Sequence, residues 1–294
     1  MKNASPIAAE YMEKGFSETC PLIDMHCHLG PIGSLYLPNS AVENQLRTKR
    51  RYGILRMVTV PHTALLADPA RGNAWMQEVI DRYPDDFLGY WAINPHDQDM
   101  VRRDLLDFDR RRGFVGLKFL PDYHTYPLDG PLYQQALAFA NERRLLILIH
   151  TWGNSPFNSP AQVAQMAAKY PNAQLIMGHS GFGQWDIALP AARDYPNAYL
   201  ELTACYVAHD FSVMPSSSGT PLPLLECVTV NGIIERMVEV ATSKKILFGT
   251  DLPWYSPMYA AGSVLFARID DDARHDILHR NAERLLGDHL KPRL

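Results

Sequence analysis

From residue 22 onward the chain repeats one pattern: a short unbroken apolar run, a polar or turn-forming break, then a longer stretch with apolar residues three and four apart. Strands buried on both faces read as continuous apolar runs, and amphipathic helices as the 3.6-residue period. The runs fall at 22–28, 54–60, 87–93, 114–119, 145–150, 173–179, 198–203 and 246–249. Between them the pattern predicts helices over 41–52 (with Asn39 and Ser40 as the cap), 71–83, a charged stretch ending at Arg112, 132–144, 160–170, 187–195 and 225–243, followed by 260–269 and 271–286. Eight such units close into an α/β (β/α)8 TIM barrel. The rival open, doubly wound sheet needs a Gly-x-Gly-x-x-Gly turn after an early strand, and the chain has none. The expected organisation is one barrel domain over 22–294 behind an N-terminal extension, 1–21, that packs across the barrel bottom or at a subunit contact.

The ends of the runs carry the candidate chemistry. His26 and His28 stand two apart on a strand, so both point to one face while Met25 and Cys27 point away. Three further runs stop at His150, His179 and Asp251, which a barrel gathers at its C-terminal rim, where active sites of this fold lie. Nitrogen and oxygen donors with an open position bind zinc or a similar divalent ion and bring the pKa of its water to about 7. Asp251 can both ligate and accept a proton; its structural alternative is to cap the loop at Leu252 and Pro253.

Lys118 has three readings: a carbamate bridging two ions, an anchor for a substrate carboxylate, or a side chain reaching solvent. Glu201 and Thr203 share one face of strand seven, with Cys205 next, and are candidates to support the ligands. Trp152, Trp185 and Trp254 follow strands five, six and eight and either wall a pocket or join the core. His62, His96 and His124 sit on loops after strands two to four, as substrate contacts or surface residues. His275, His279 and His289 fall in the terminal helices and are expected to be solvated.

Composition narrows the class. Of 294 residues 47% are apolar, enough for a large core, and the net charge of −4 gives no basic footprint for nucleic acid. Residues 1–16 include Glu10, Glu13 and Lys14 and resemble neither a signal peptide nor a membrane span. The four cysteines form no Cys-x-x-Cys, which argues against a zinc ribbon or redox pair and for reduced thiols in the cytoplasm. A cytoplasmic enzyme acting on a small molecule, without nucleic-acid or membrane partners, is expected, as is a homo-oligomer, either dimer or tetramer. A full set of ligand-type side chains argues against a binding protein with a vestigial site.

His26-Cys27-His28, His150, His179 and Phe248-Gly249-Thr250-Asp251 resemble the amidohydrolase superfamily, in its branch of TIM-barrel metal-dependent hydrolases that includes enzymes like aminocarboxymuconate-semialdehyde decarboxylase. Asn73, Tyr83-Pro84-Asp85-Asp86-Phe87, Gly116-Leu117-Lys118, Gly178-His179-Ser180-Gly181 and Asn281-Ala282-Glu283-Arg284-Leu285 extend the likeness over nearly the whole chain after residue 20. The resemblance implies a metal held by His26, His28, His150 and Asp251, with His179 beside it as polariser or acid/base. It implies first a hydrolase, in which metal-activated water attacks an amide, ester or lactone carbonyl with Asp251 and His179 as catalytic residues. Its alternative is a decarboxylase or hydratase acting on an unsaturated or aromatic-derived carboxylic acid. Zinc is expected first and manganese second, as one ion; two ions would need carbamylated Lys118. Substrate contacts fall to Lys118, Trp152, Trp254 and His124, and the loop over 206–226 to a lid or dimer contact.

Overall fold

The eight apolar runs form eight parallel strands. The computed structural model describes residues 5–33, 35–153, 155–205 and 232–291. Strands β1 (Leu22–Leu29), β2 (Ile54–Pro61), β3 (Phe87–Ala92), β4 (Phe114–Phe119), β5 (Leu146–Trp152), β6 (Gln174–Phe182), β7 (Ala198–Glu201) and β8 (Ile246–Leu247) lie side by side in chain order. Backbone bonds from Met25 N to Phe248 O (2.9 Å) and from Asp251 N to His26 O (2.8 Å) join the β8 segment to β1 and close the barrel. The fold is a (β/α)8 TIM barrel.

Two apolar layers hold it. An outer layer packs strand residues such as Leu22, Cys27, Leu117 and Ile149 under the helices. The inner layer fills the lumen with Ile23, Met25, Val58, Leu88, Leu148 and Ile176. Each fully buried aliphatic side chain of this kind contributes about 1.5–3 kcal/mol. Ala282 and Leu286, from the last helix, enter the inner layer and plug the lumen's lower end. Tyr90 spans the lumen and donates its hydroxyl to Met25 O at 3.1 Å.

Met25 departs from the alternation expected of β1. Asp24 pairs with Met57 and Cys27 with Thr59, so three steps of β1 oppose two of β2. This bulge inserts one residue and resets the face. Met25 therefore joins the lumen with Ile23, Cys27 faces the helices, and His26 and His28 still emerge together at the mouth.

The helices α1 (Pro6–Lys14), α2 (Val42–Arg51), α3 (His62–Leu66), α4 (Pro69–Arg82), α5 (Gln98–Phe108), α6 (Pro131–Arg143), α7 (Pro160–Lys169) and α8 (Trp185–Asp194) follow the pattern with small shifts. Helix α1 in the N-terminal extension buries Ile7, Ala8 and Tyr11. Asn39 and Ser40 do not cap α2, which starts after Ala41 without a side-chain cap. Helix α4 starts at Pro69 because Asp68 accepts from Arg71 N and Pro fits the first turn. Helix α3 is one short turn, too brief to show a period.

Strands β5 and β6 run on past His150 and His179, whereas β8 stops at Leu247 as the chain turns toward β1. The helix predicted over 225–243 is described over α9 (Ile233–Ala241); α10 (Pro257–Leu265) follows. The single helix predicted over 271–286 is α11 (Asp271–His275), a π turn (Asp276–Arg280) and α12 (Asn281–Leu286). His279 is 8% exposed, not solvated as its helical position suggested. The loop over 206–226 lies outside the described residues. Among these, no helix is long and apolar enough to cross a membrane.

Candidate metal centre and substrate cavity

His26, His28 and Asp251 offer three ligand atoms within 4.8 Å of one another. His28 Nε2 lies 3.1 Å from Asp251 Oδ1, and His26 Nε2 lies 3.9 Å from it. Both imidazoles are held from behind by acceptors: His28 Nδ1 is 3.2 Å from Val60 O, and His26 Nδ1 is 2.7 Å from Glu201 Oε2. A carbonyl and a carboxylate can only accept, so each ring carries its proton on Nδ1 and turns the Nε2 lone pair inward. His28 Nε2 and Asp251 Oδ1 then meet as two acceptors unless a proton or cation lies between them. Burial works against ionisation of Asp251, yet the His28 contact and the nearby Lys118 charge hold its carboxyl down at about 2. This facial set of two nitrogens and an anionic oxygen fits a divalent ion.

Two carboxylates sequence reading had not placed at this site, or had left only as candidates, hold that set. Glu201 is fully buried. Its Oε2 accepts from His26 Nδ1 and from His179 N (3.2 Å), and its Oε1 accepts from Thr203 N (2.6 Å) and the Thr203 hydroxyl. Burial pushes its pKa up, opposed by the hydrogen bonds from Thr203 and His179 N, which favour the ionised form. Gly249 makes the room: a Cβ there would stand 2.0 Å from Glu201 Oε1. Asp24, not singled out in the sequence, accepts from His26 N (3.1 Å) and from the Thr250 hydroxyl (2.6 Å), so it ties the two ligand-bearing segments together. Asp251 itself has φ 58°, a left-handed conformation that aspartate tolerates better than most residues.

Lys118 does not reach solvent. It is 1% exposed, with Nζ 3.0 Å from His26 Nε2. Burial lowers its pKa to about 8, opposed by Asp251, Glu201 and Asp122. His179, at φ 61°, points Nδ1 at Thr203 O (3.1 Å) and Nε2 at His150 Nδ1 (3.2 Å). Burial brings its pKa to about 3, so the ring is neutral with its proton toward the carbonyl. His150 must then donate through Nδ1, while its Nε2 lies 3.3 Å from Asp122 Oδ2. Against burial, the contact with His150 keeps Asp122 below the ordinary carboxylate range. His150 thus stands beyond His179, outside the 4.8 Å donor group. Nothing in the sequence marked Asp122; it pairs with His150 only through the adjacency of β4 and β5.

Above these groups opens a cavity of about 180 Å³, walled by Leu65, Leu120, Tyr123, Trp152, Trp254 and Tyr255, with Lys118, His28 and Asp251 also in its lining. Trp152 stacks on Phe182 at 4.2 Å and stands edge-on to His179 at 5.0 Å. Trp254, 36% exposed, donates Nε1–H to His62 Nε2 at 2.9 Å. His62, whose Nδ1 faces Gly30 O at 2.8 Å, is pulled to about 4 by burial and stacks on His28. His124 does not line the cavity. Its ring is fixed between Tyr133 Oη and Leu65 O, behind the wall. Trp185 is buried in the outer layer.

Residues 23–287 match the family model described as Amidohydrolase. The chain belongs to the amidohydrolase family. This amidohydrolase is 23% identical over 288 residues to a gamma-resorcylate decarboxylase of Polaromonas sp. (strain JS666 / ATCC BAA-500), covering 83% of the chain and 86% of the relative. Its fold is similar to that of a dihydroxybenzoic acid decarboxylase from Polaromonas sp. JS666, solved with bound manganese and the inhibitor 2-nitroresorcinol. There the TM-score is 0.66 at 17% identity, over 92% of this chain and 97% of that one. It is similar as well to an uncharacterised TIM-barrel protein of Bordetella bronchiseptica, with a TM-score of 0.69 at 17% identity over 92% and 100% of the two chains. The chain is thus an enzyme of the amidohydrolase superfamily.

Proposed function

We propose that this amidohydrolase is a metal-dependent decarboxylase of a small aromatic carboxylic acid. The observation that carries the reading is the cavity floor, where the His26, His28 and Asp251 donors stand beside the Lys118 amine beneath aromatic walls. A cavity of roughly 150 Å³ accommodates a benzene ring, so about 180 Å³ leaves room for one ring and its carboxylate. The relatives named decarboxylases of dihydroxybenzoates support the same reaction class. A divalent ion bound here supplies electrophilic attraction for the substrate carboxylate and a neighbouring oxygen. Manganese fits this nitrogen and oxygen set as zinc does, and a relative holds manganese.

The chain's own residues divide the remaining work. The Lys118 ammonium, charged up to about pH 8, attracts and orients the carboxylate. Trp152 and Tyr123 confine the ring and keep water off it. The carbon–carbon bond to the carboxylate breaks, carbon dioxide leaves, and the ring carbon needs a proton. Asp251, held ionised, is a ligand and a proton acceptor. His150, its ring in the cavity lining with one nitrogen 3.2 Å from His179 Nε2 and the other 3.3 Å from Asp122 Oδ2, is the group that delivers it. His179 keeps that ring aligned.

Hydrolysis is the second reading, favoured by the Asp251 carboxylate standing 3.1 Å from His28 Nε2 within the donor group that would hold a water-activating ion. The deciding experiment incubates the manganese- and zinc-loaded chain with dihydroxybenzoates on one side and with lactones, esters and amides on the other. Release of carbon dioxide, lost in Asp251→Asn and His150→Gln, is expected. Hydrolytic products without carbon dioxide would overturn the decarboxylase assignment.

A further inference from the structure

A second group of metal-type donors lies far from the cavity. Cys20 Sγ and ring nitrogens of His275 and His279 fall within 4.8 Å of one another. Cys20 sits two residues before β1 begins, and His26 follows that start by four residues, roughly 13 Å of strand. The cluster therefore belongs to the barrel's lower end, where the segment from α11 to α12 packs against the roots of β1 and β8.

We infer that Cys20, His275 and His279 form a second metal site, for a borderline-soft divalent cation of the zinc type, that staples the N-terminal extension to the helix closing the barrel. Thiolate sulfur with two imidazoles is the donor chemistry of zinc and cobalt, not of magnesium or calcium. The two histidines are four apart around a single π turn, a distortion frequent at functional sites.

His279 is prepared for ligation. Its Nδ1 lies 2.9 Å from Glu283 Oε1, which keeps the proton on Nδ1 and presents the Nε2 lone pair to His275 Nδ1, 2.9 Å away. A carboxylate behind a ligating imidazole is the usual support in such centres. Tetrahedral bond lengths place two nitrogen ligands roughly 3.3 Å apart, and nitrogen and sulfur roughly 3.6 Å apart, so the rings separate by only a few tenths of an ångström. As the ion binds, the His275 proton moves from Nδ1 to Nε2, and the Cys20 thiol loses its proton to solvent as the metal–sulfur bond forms. No redox change is involved. Cys20 is fully buried and His279 nearly so, while His275 is partly exposed and is the side by which the ion arrives.

Cobalt(II) distinguishes this site from the cavity, whose donor set has no sulfur. Titrated into metal-free full-length protein, cobalt should produce a near-ultraviolet thiolate-to-cobalt charge-transfer band that reaches its limit within about two equivalents, the cavity donors taking the other ion, and that is lost in Cys20→Ser. His275→Gln, at a partly exposed position outside the core, should weaken the titration about ten-fold or more and serves if Cys20→Ser fails to fold. Zinc should raise the Tm of the wild-type chain by more than that of His275→Gln. No charge-transfer band in the folded wild-type protein, or an equal band in His275→Gln, would overturn the site.

Discussion

Glu201→Gln tests whether the cavity's donor set is built to hold a metal. The change is isosteric, and the carboxylate now accepts from four donors: His26 Nδ1, His179 N, Thr203 N and the Thr203 hydroxyl. An amide has one accepting oxygen, so its NH2 must face one pair. Turned toward Thr203, it meets a hydroxyl that can rotate to accept, and His26 keeps its tautomer with a neutral acceptor in place of a charged one. That exchange costs about 1.4 kcal/mol of support, or ten-fold in affinity. Turned toward His26, it forces the proton onto Nε2 and removes the lone pair aimed at the ion, which brings the loss to about a hundred-fold, the upper range for such supporting groups. Metal dissociation constants from competition with a chromophoric chelator, with circular dichroism to establish folding, should show a ten- to hundred-fold weakening. A folded Glu201→Gln protein that binds within about three-fold of wild type would refute the tautomer argument.

The other expectations follow from the same contacts. Gly249→Ala should weaken metal binding as Glu201→Gln does and cost about 1–3 kcal/mol of stability in denaturant titration, because its Cβ would sit 2.0 Å from Glu201 Oε1; unchanged metal affinity would show that Glu201 does not orient His26. Lys118→Met should keep the wild-type metal content by mass spectrometry while kcat/KM for an aromatic acid falls about a hundred-fold. Loss of one equivalent relative to wild type would make Lys118 a bridging carbamate instead. Burial pushes Asp104 up to about 6, above its unfolded value, so the native state binds more protons across that interval and loses stability as pH rises from about 4 to 6. Asp104→Asn lacks this slope, and its Tm advantage over wild type should be larger at pH 7 than at pH 4.5; an equal difference at both would refute it.

The sequence alone determined the strand order, the barrel and the residue types at the mouth, because each depends on local information. Apolar runs mark strands buried on both faces, and the two-residue period aims His26 and His28 together. It could place Asp251, His150 and His179 on the same rim for the same reason, yet one rim serves hydrolysis and decarboxylation alike. What tertiary structure decided is who faces whom across the lumen and between distant segments. The bulge that turns Met25 inward is a property of the pairing of β1 with β2, invisible in either strand alone. Lys118 is buried against His26 because closure of the barrel points both into one space, and Asp24 meets Thr250 because β8 returns to β1. His279 was expected in water because a helical period reports a face, not the neighbour that covers it, and a π turn shifts that face. Cys20 and His279, at opposite ends of the chain, come together only because a closed barrel brings its first and last elements side by side.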